Sequence, residues 1–240
     1  MALVTAVVTE YPHLIAIEDF APVVLTFVGG IALSRFVAKR DAGLGRLARL
    51  GTIVLTAGGL AKAVWKLIRS FDGPDEKWLA GLLFPLLATG FACLAWALVH
   101  HDYRETGAEA PRPGEAVRRL PLRVAAGTGV LAFVLSATTR WSRIWVAPLI
   151  ALTTVASLAV VIVCVKSARR RLRPVAAALF IVNFVGALVL TRLSRADQTV
   201  GLQWFEQAVN TAAAGAFALG ARTLAASSPV GVDRAIIYST

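Results

Sequence analysis

Lys62, Lys66 and Arg69 recur at intervals of four and three residues toward the end of a long apolar stretch. On a helix that spacing puts all three on one face. A charge in the middle of a bilayer costs roughly 2.5–3.5 kcal/mol on insertion scales, so each one needs a reason. Arg69 and Lys66 are close enough to the end of the stretch for their stems to lie along lipid while their charges reach the headgroups. Lys62 sits one turn deeper, and an internal partner explains it better.

Groups that could serve as that partner stand at similar depth. Gln203, Glu206 and Asn210 fall at i, i+3 and i+7 and form one polar stripe, with Gln207 beside it. Glu18 and Asp19 precede another apolar run, in which Asp19, Pro22 and Thr26 share a face, and Asn183 lies near the middle of a third. Ammonium, carboxylate and amide groups gathered out of water can hold a small polar or anionic solute. The expectation is that Glu18, Asp19, Lys62, Lys66, Asn183, Gln203, Glu206 and Asn210 converge on one outward-opening pocket, with Lys62 or Lys66 paired to Glu206. The competing reading makes them separate hydrogen-bonding contacts between helices plus interfacial charges.

Other chemistries fit less well. Glu206, Glu18 or Asp19 could act as acid or base on a lipid, yet carboxylates near a membrane interface commonly have no catalytic role. The expectation therefore leans away from an enzyme. The sequence has neither a phosphate-binding glycine loop nor a G-x-S-x-G elbow. A retinal Schiff base would need a lysine in the last apolar stretch, which has none. The histidines are His13 and the adjacent His100 and His101. Neighbouring helical positions point apart, so that pair with Asp102 suits an interfacial basic patch better than a metal site. Cys93 and Cys164 lie within apolar stretches that oxidants outside the membrane cannot reach, which argues against a disulfide. No metal and no cofactor is expected.

The elements that must position these residues follow from composition. Of 240 residues 57% are hydrophobic and 16% charged, where a soluble domain has about 25% charged. A chain this short has too little interior to hide so much apolar surface. A net charge of +11 would suggest a nucleic-acid partner in a soluble chain. Here the basic residues sit in short runs between apolar stretches, as orientation signals do, and nucleic acid is excluded. Seven stretches, 17–36, 47–68, 78–99, 122–139, 141–165, 174–193 and 200–224, approach the roughly 20 residues that a spanning helix needs. Their apolar runs are continuous, which favours helices over barrel strands.

The predicted fold is an all-α integral membrane protein: one bundle of seven transmembrane helices over 1–226, then a short cytoplasmic tail, 227–240. Seventeen Lys and Arg residues fall on one side and six on the other. That bias puts the N-terminus outside and the C-terminus in the cytoplasm. Trp65, Trp78, Trp141, Trp145 and Trp204 fall near the outer ends of their stretches and Trp96 near an inner end. Residues 1–12 lack the basic start of a signal peptide and suit a short outer segment. The link 138–143 predicts an antiparallel hairpin between the fourth and fifth helices, and Pro111, Pro113 and Gly114 a flexible connection before the fourth. Helices three to five look almost plain. Ala212, Ala216 and Gly220, and Gly30 with Ser34, suit close helix packing.

The expected setting is the inner membrane of a bacterium. The lipid bilayer is the expected partner, with a small polar or anionic ligand at the pocket and function in its binding or transport. The alternative is a non-catalytic subunit or assembly factor whose partner is another membrane protein. A lipid-modifying enzyme is the third reading.

Overall fold

Apolar segments rich in Ala, Leu and Val close their own backbone hydrogen bonds most easily as helices. The computed structural model describes residues 13–106, 120–138, 143–194, 196 and 199–227, and they are helical apart from short turns. α1 (His13–Glu18) and α2 (Phe20–Ala38) make one rod, interrupted at Asp19. α3 (Ala42–Ser70) returns antiparallel, and α4 (Lys77–Gly81) leads into α5 (Leu83–Glu105). α6 (Leu120–Thr138) is followed by a 3-10 turn (Arg143–Val146), α7 (Ala147–Arg170), α8 (Pro174–Leu193) and α9 (Val200–Ala225).

Five rods are long and apolar enough to cross a membrane: His13–Ala38, Ala42–Ser70, Lys77–Glu105, Ala147–Arg170 and Pro174–Leu193. They make the chain a membrane protein. Among the described residues α6 and α9 do not join that set. In α9 the reason is visible, since Gln203, Glu206, Gln207, Asn210 and Arg222 dilute its apolar run. The expected outer segment 1–12, the flexible connection within 107–119, the hairpin tip 139–142 and the tail beyond 227 lie outside the described residues.

Capping sets several boundaries. Asp41 starts α3 five residues before its predicted edge, its carboxylate accepting from the N–H groups of Gly43 and Leu44 at 2.7 and 3.0 Å. Thr199 starts α9 by accepting from Leu202 N–H at 3.2 Å. Pro174 occupies the first turn of α8, where its missing N–H costs nothing. The α7–α8 turn places Leu172 at φ 54°, a left-handed conformation unusual for a branched side chain.

Six of the long helices close a ring. α2 packs on α3, α3 on α5, α5 on α7, α7 on α8, α8 on α9, and α9 on α2, while α6 lies outside against α5 and α7. Leu33, Phe36, Leu94, Leu98, Val160, Phe180, Phe217 and Leu224 fill the ring in the half nearer Lys39, Glu105 and Arg170, the Arg-rich end. The opposite half keeps open space.

Glycines bring neighbouring helices close. A Cβ on Gly51 would stand 2.7 Å from the Gly90 carbonyl, and one on Gly90 would stand 2.7 Å from the Gly51 carbonyl. Gly51→Ala and Gly90→Ala should therefore each destabilise the protein by about 1–3 kcal/mol through overpacking. Gly127, around which a Cβ would meet nothing within 4 Å, is the control. Thermal unfolding in detergent checks both, and melting temperatures for the first two that match Gly127→Ala would refute the tight α3–α5 contact.

Candidate functional site at the end opposite the arginines

Asp19 occupies the break between α1 and α2, which frees its carboxylate to face two other helices. Lys66 of α3 approaches it at 2.5 Å, and the side-chain amide of Gln207 on α9 donates to it. Gln207 also donates to the Ile15 carbonyl at 3.4 Å. One turn away along α9, Thr211 donates its hydroxyl to Glu18. These contacts tie α1 and α2 to α3 and α9 by charge and hydrogen bonds in a setting where such bonds have little competition from water.

Beneath this assembly lies a cavity of about 230 Å³. Asp19, Pro22, Val23 and Thr26 form one wall, and Leu55, Thr56, Gly59, Lys62 and Ala63 of α3 form the next. Leu83 and Leu87 of α5 and Asn210 of α9 complete it. Among the described residues Lys62 has no carboxylate within 4.0 Å. Asp19 and Glu206 act on it as opposite charges from farther away, and Lys66 acts as a like charge.

A second cavity, of about 300 Å³, lies between α7 and α8 and reaches the middle of the ring. Thr153, Thr154 and Ser157 of α7 and Asn183, Phe184 and Thr191 of α8 line it, with Phe91 and Phe217. Thr26 and Leu55 line both cavities.

Asp19, Lys62 and Asn210 therefore share one cavity, with Lys66 bonded at its rim and Glu18 and Glu206 nearby. Asn183 lies elsewhere: it lines the second cavity and donates to the Ala213 carbonyl at 3.0 Å. The buried Oε1 of Gln203 has no hydrogen-bond partner among the described residues. Gln207 proves a direct ligand of Asp19, and Thr56 and Thr211 enter the site although their spacing gave no warning. The fifth predicted helix is less plain than expected, since Thr153, Thr154 and Ser157 lie within one turn and all face the second cavity.

The Arg-rich end carries a different assembly. Arg104 pairs with Asp41, and Arg170 with Asp102 and, at 3.5 Å, with Glu105. Arg171 meets Glu105 at 2.5 Å and lies 4.8 Å above the Phe36 ring. Lys39 donates to the Ala225 carbonyl at 2.5 Å. Both members of the Arg171–Glu105 pair are buried, at 7% and 4% exposure. His101, expected in an interfacial patch, is instead buried with its ring edge-on to Phe36 and 4.0 Å from Glu105. This network ties α2, α3, α5, α7 and α9 together and encloses no cavity among those described. No group of three or more His, Cys, Asp and Glu among the described residues is arranged to hold a metal.

No family model matches this chain, and neither a curated protein nor a solved structure is significantly similar to it. Function must therefore be argued from the side chains themselves.

Because the Arg171–Glu105 pair is buried, removing one partner strands the other. Glu105→Gln should cost about 3–5 kcal/mol of stability, and adding Arg171→Met should recover much of it. Unfolding curves in detergent test this, and a double variant no more stable than Glu105→Gln would show that the buried pairing is not the origin of the loss.

Proposed function

We propose that the chain crosses a bacterial inner membrane seven times, with its Arg-rich end in the cytoplasm, and binds or transports a small polar or anionic solute through the cavity of Asp19, Lys62 and Asn210. α6 and α9 run alongside the five apolar rods, and counting them as spans gives a strict alternation from an outside N-terminus to a cytoplasmic C-terminus. At the end assigned to the outside, the indole N–H groups of Trp65 and Trp78 bond Asp75 and Glu76 at 3.1 and 2.8 Å. Indoles with a bonded polar tip suit an interfacial belt.

The observation that carries the solute reading is Lys62, an ammonium lining a cavity with no carboxylate within ion-pair distance among the described residues. A charge withdrawn from water is costly unless a partner meets it. Asp19 is already engaged by Lys66 and Gln207, so an anion entering the cavity would supply what Lys62 lacks. The Asn210 amide and the Thr26 hydroxyl offer neutral hydrogen-bond donors around it, whereas Thr56 gives its O–H to the Thr52 carbonyl at 2.7 Å. Leu55, Leu83 and Leu87 give the cavity an apolar wall, the usual makeup of a small-molecule site.

Two measurements test this. With Cys93 and Cys164 replaced by Ala, cysteines placed at Lys39 and Arg170 should react with impermeant reagents only from inside, and one at Asp75 only from outside. Labelling of Lys39 and Arg170 from opposite faces would end the topology. In the same background, Asn210→Cys should react faster with a sulfonate-bearing methanethiosulfonate than with a trimethylammonium-bearing one. Adding Lys62→Gln should lower that preference by about tenfold, the equivalent of about 1.4 kcal/mol. A preference that Lys62→Gln does not move would overturn the anion site.

A further inference from the structure

The second cavity is lined by no ionised side chain, and its hydrogen-bonding character is weighted toward acceptors. Thr153 and Thr154 donate to the carbonyls of Leu149 and Ile150 at 2.8 Å. Ser157 donates to the Thr154 carbonyl at 3.0 Å, and Thr191 to that of Ala187 at 2.9 Å. Each hydroxyl has spent its single O–H on its own helix, so what it offers the cavity is oxygen lone pairs. Asn183 gives one amide N–H to Ala213 and keeps its carbonyl oxygen as an acceptor beside its second N–H. A lobe weighted toward acceptors and set among phenylalanine rings favours a solute portion that carries donors.

The two cavities meet at Thr26 and Leu55, each near the middle of its rod. We propose that they are two lobes of one vestibule that takes an elongated organic anion. The anionic head meets Lys62, and an uncharged end bearing hydroxyl or N–H donors reaches Ser157 and Asn183 past a waist at Thr26 and Leu55. The proposal rests on the anion site at Lys62 and adds the class of solute. A small inorganic anion would occupy the first lobe alone.

The test uses full-length protein in vesicles, again with Cys93→Ala and Cys164→Ala, and cysteine placed at Asn210 or at Ser157. The sulfonate reagent added outside should modify Ser157→Cys, more slowly when Lys62→Gln is present. Thr26→Trp should block that reaction while Asn210→Cys continues to react, with Leu55→Trp as a second closure should Thr26→Trp not purify as a folded protein. Modification of Ser157→Cys only by an apolar maleimide, or at a rate indifferent to both closures, would sink the shared vestibule. Gluconate, hexanoate and acetate then probe the solute class by protection. Gluconate should shield both cysteines several-fold, acetate Asn210→Cys alone, and hexanoate should shield Ser157→Cys less than gluconate. Hexanoate shielding as well as gluconate, or gluconate shielding neither, would overturn the class. Loss of anion preference at Asn210→Cys would instead remove the site on which the proposal rests, so the two failures are told apart.

Discussion

Hydrocarbon neither hydrates a charge nor completes a hydrogen bond, and the charged clusters of this bundle answer that deficit with one another. Lys66, Asp19 and Gln207 answer it at one end of the ring, and Arg171, Glu105 and Phe36 at the other. Between them the interior is apolar, and the hydroxyls that enter it bond back to their own helices. A few polar residues carry the helix-to-helix polar contacts. Asp19 joins the α1–α2 break to α3 and α9, and Glu105 joins α5 to α7.

The two ends use similar groups to opposite effect. At the Arg-rich end, guanidinium forks reach carboxylates from several sides, the matched geometry that makes such pairs worth burying. Beneath them lies the core cluster of Leu33, Phe36, Leu94 and Leu98. At the other end the cation is a lysine on a flexible stem, its nearest carboxylate is shared with Lys66 and Gln207, and the space beside it is empty. The two ends thus differ in how fully each charge is matched.

Depth along a helix is legible in a sequence, because 1.5 Å per residue converts position into height. Asp19, Lys62 and Asn210 were found that way, since all three are costly at their level. Azimuth is not legible, because it depends on which helices touch and how each is turned. Asn183 stands at a suitable height yet lines the second cavity, with Ser157 of α7 on its lining too, and bonds the Ala213 carbonyl of α9. The hydroxyls of α7 escaped notice for a related reason: Thr and Ser bond their own backbone readily, so their presence in an apolar helix is no anomaly. Arg170 and Arg171 counted as orientation signals, and the count ignored Asp102 and Glu105, the acids that draw them inward. The all-helical character was plain from the continuous apolar runs, whereas the polar residues of α9 leave it less apolar than the five clearest rods.

Asp19 and Lys62 line the same cavity but differ in what else depends on them. Asp19 fastens three segments, so any substitution there disturbs the walls together with whatever they enclose. Among the described residues Lys62 forms no ion pair within 4.0 Å and holds no second helix by one, so its removal takes away a charge while the framework of Lys66, Asp19 and Gln207 stays intact. A lysine retained purely to hold the fold would be expected to bond a neighbouring helix, as Lys66 does. Lys62, which lines open space with no ion-pair partner among the described residues, is the side chain that the proposed anion site would use, and its framework neighbours Lys66, Asp19 and Gln207 are the ones that it would leave in place.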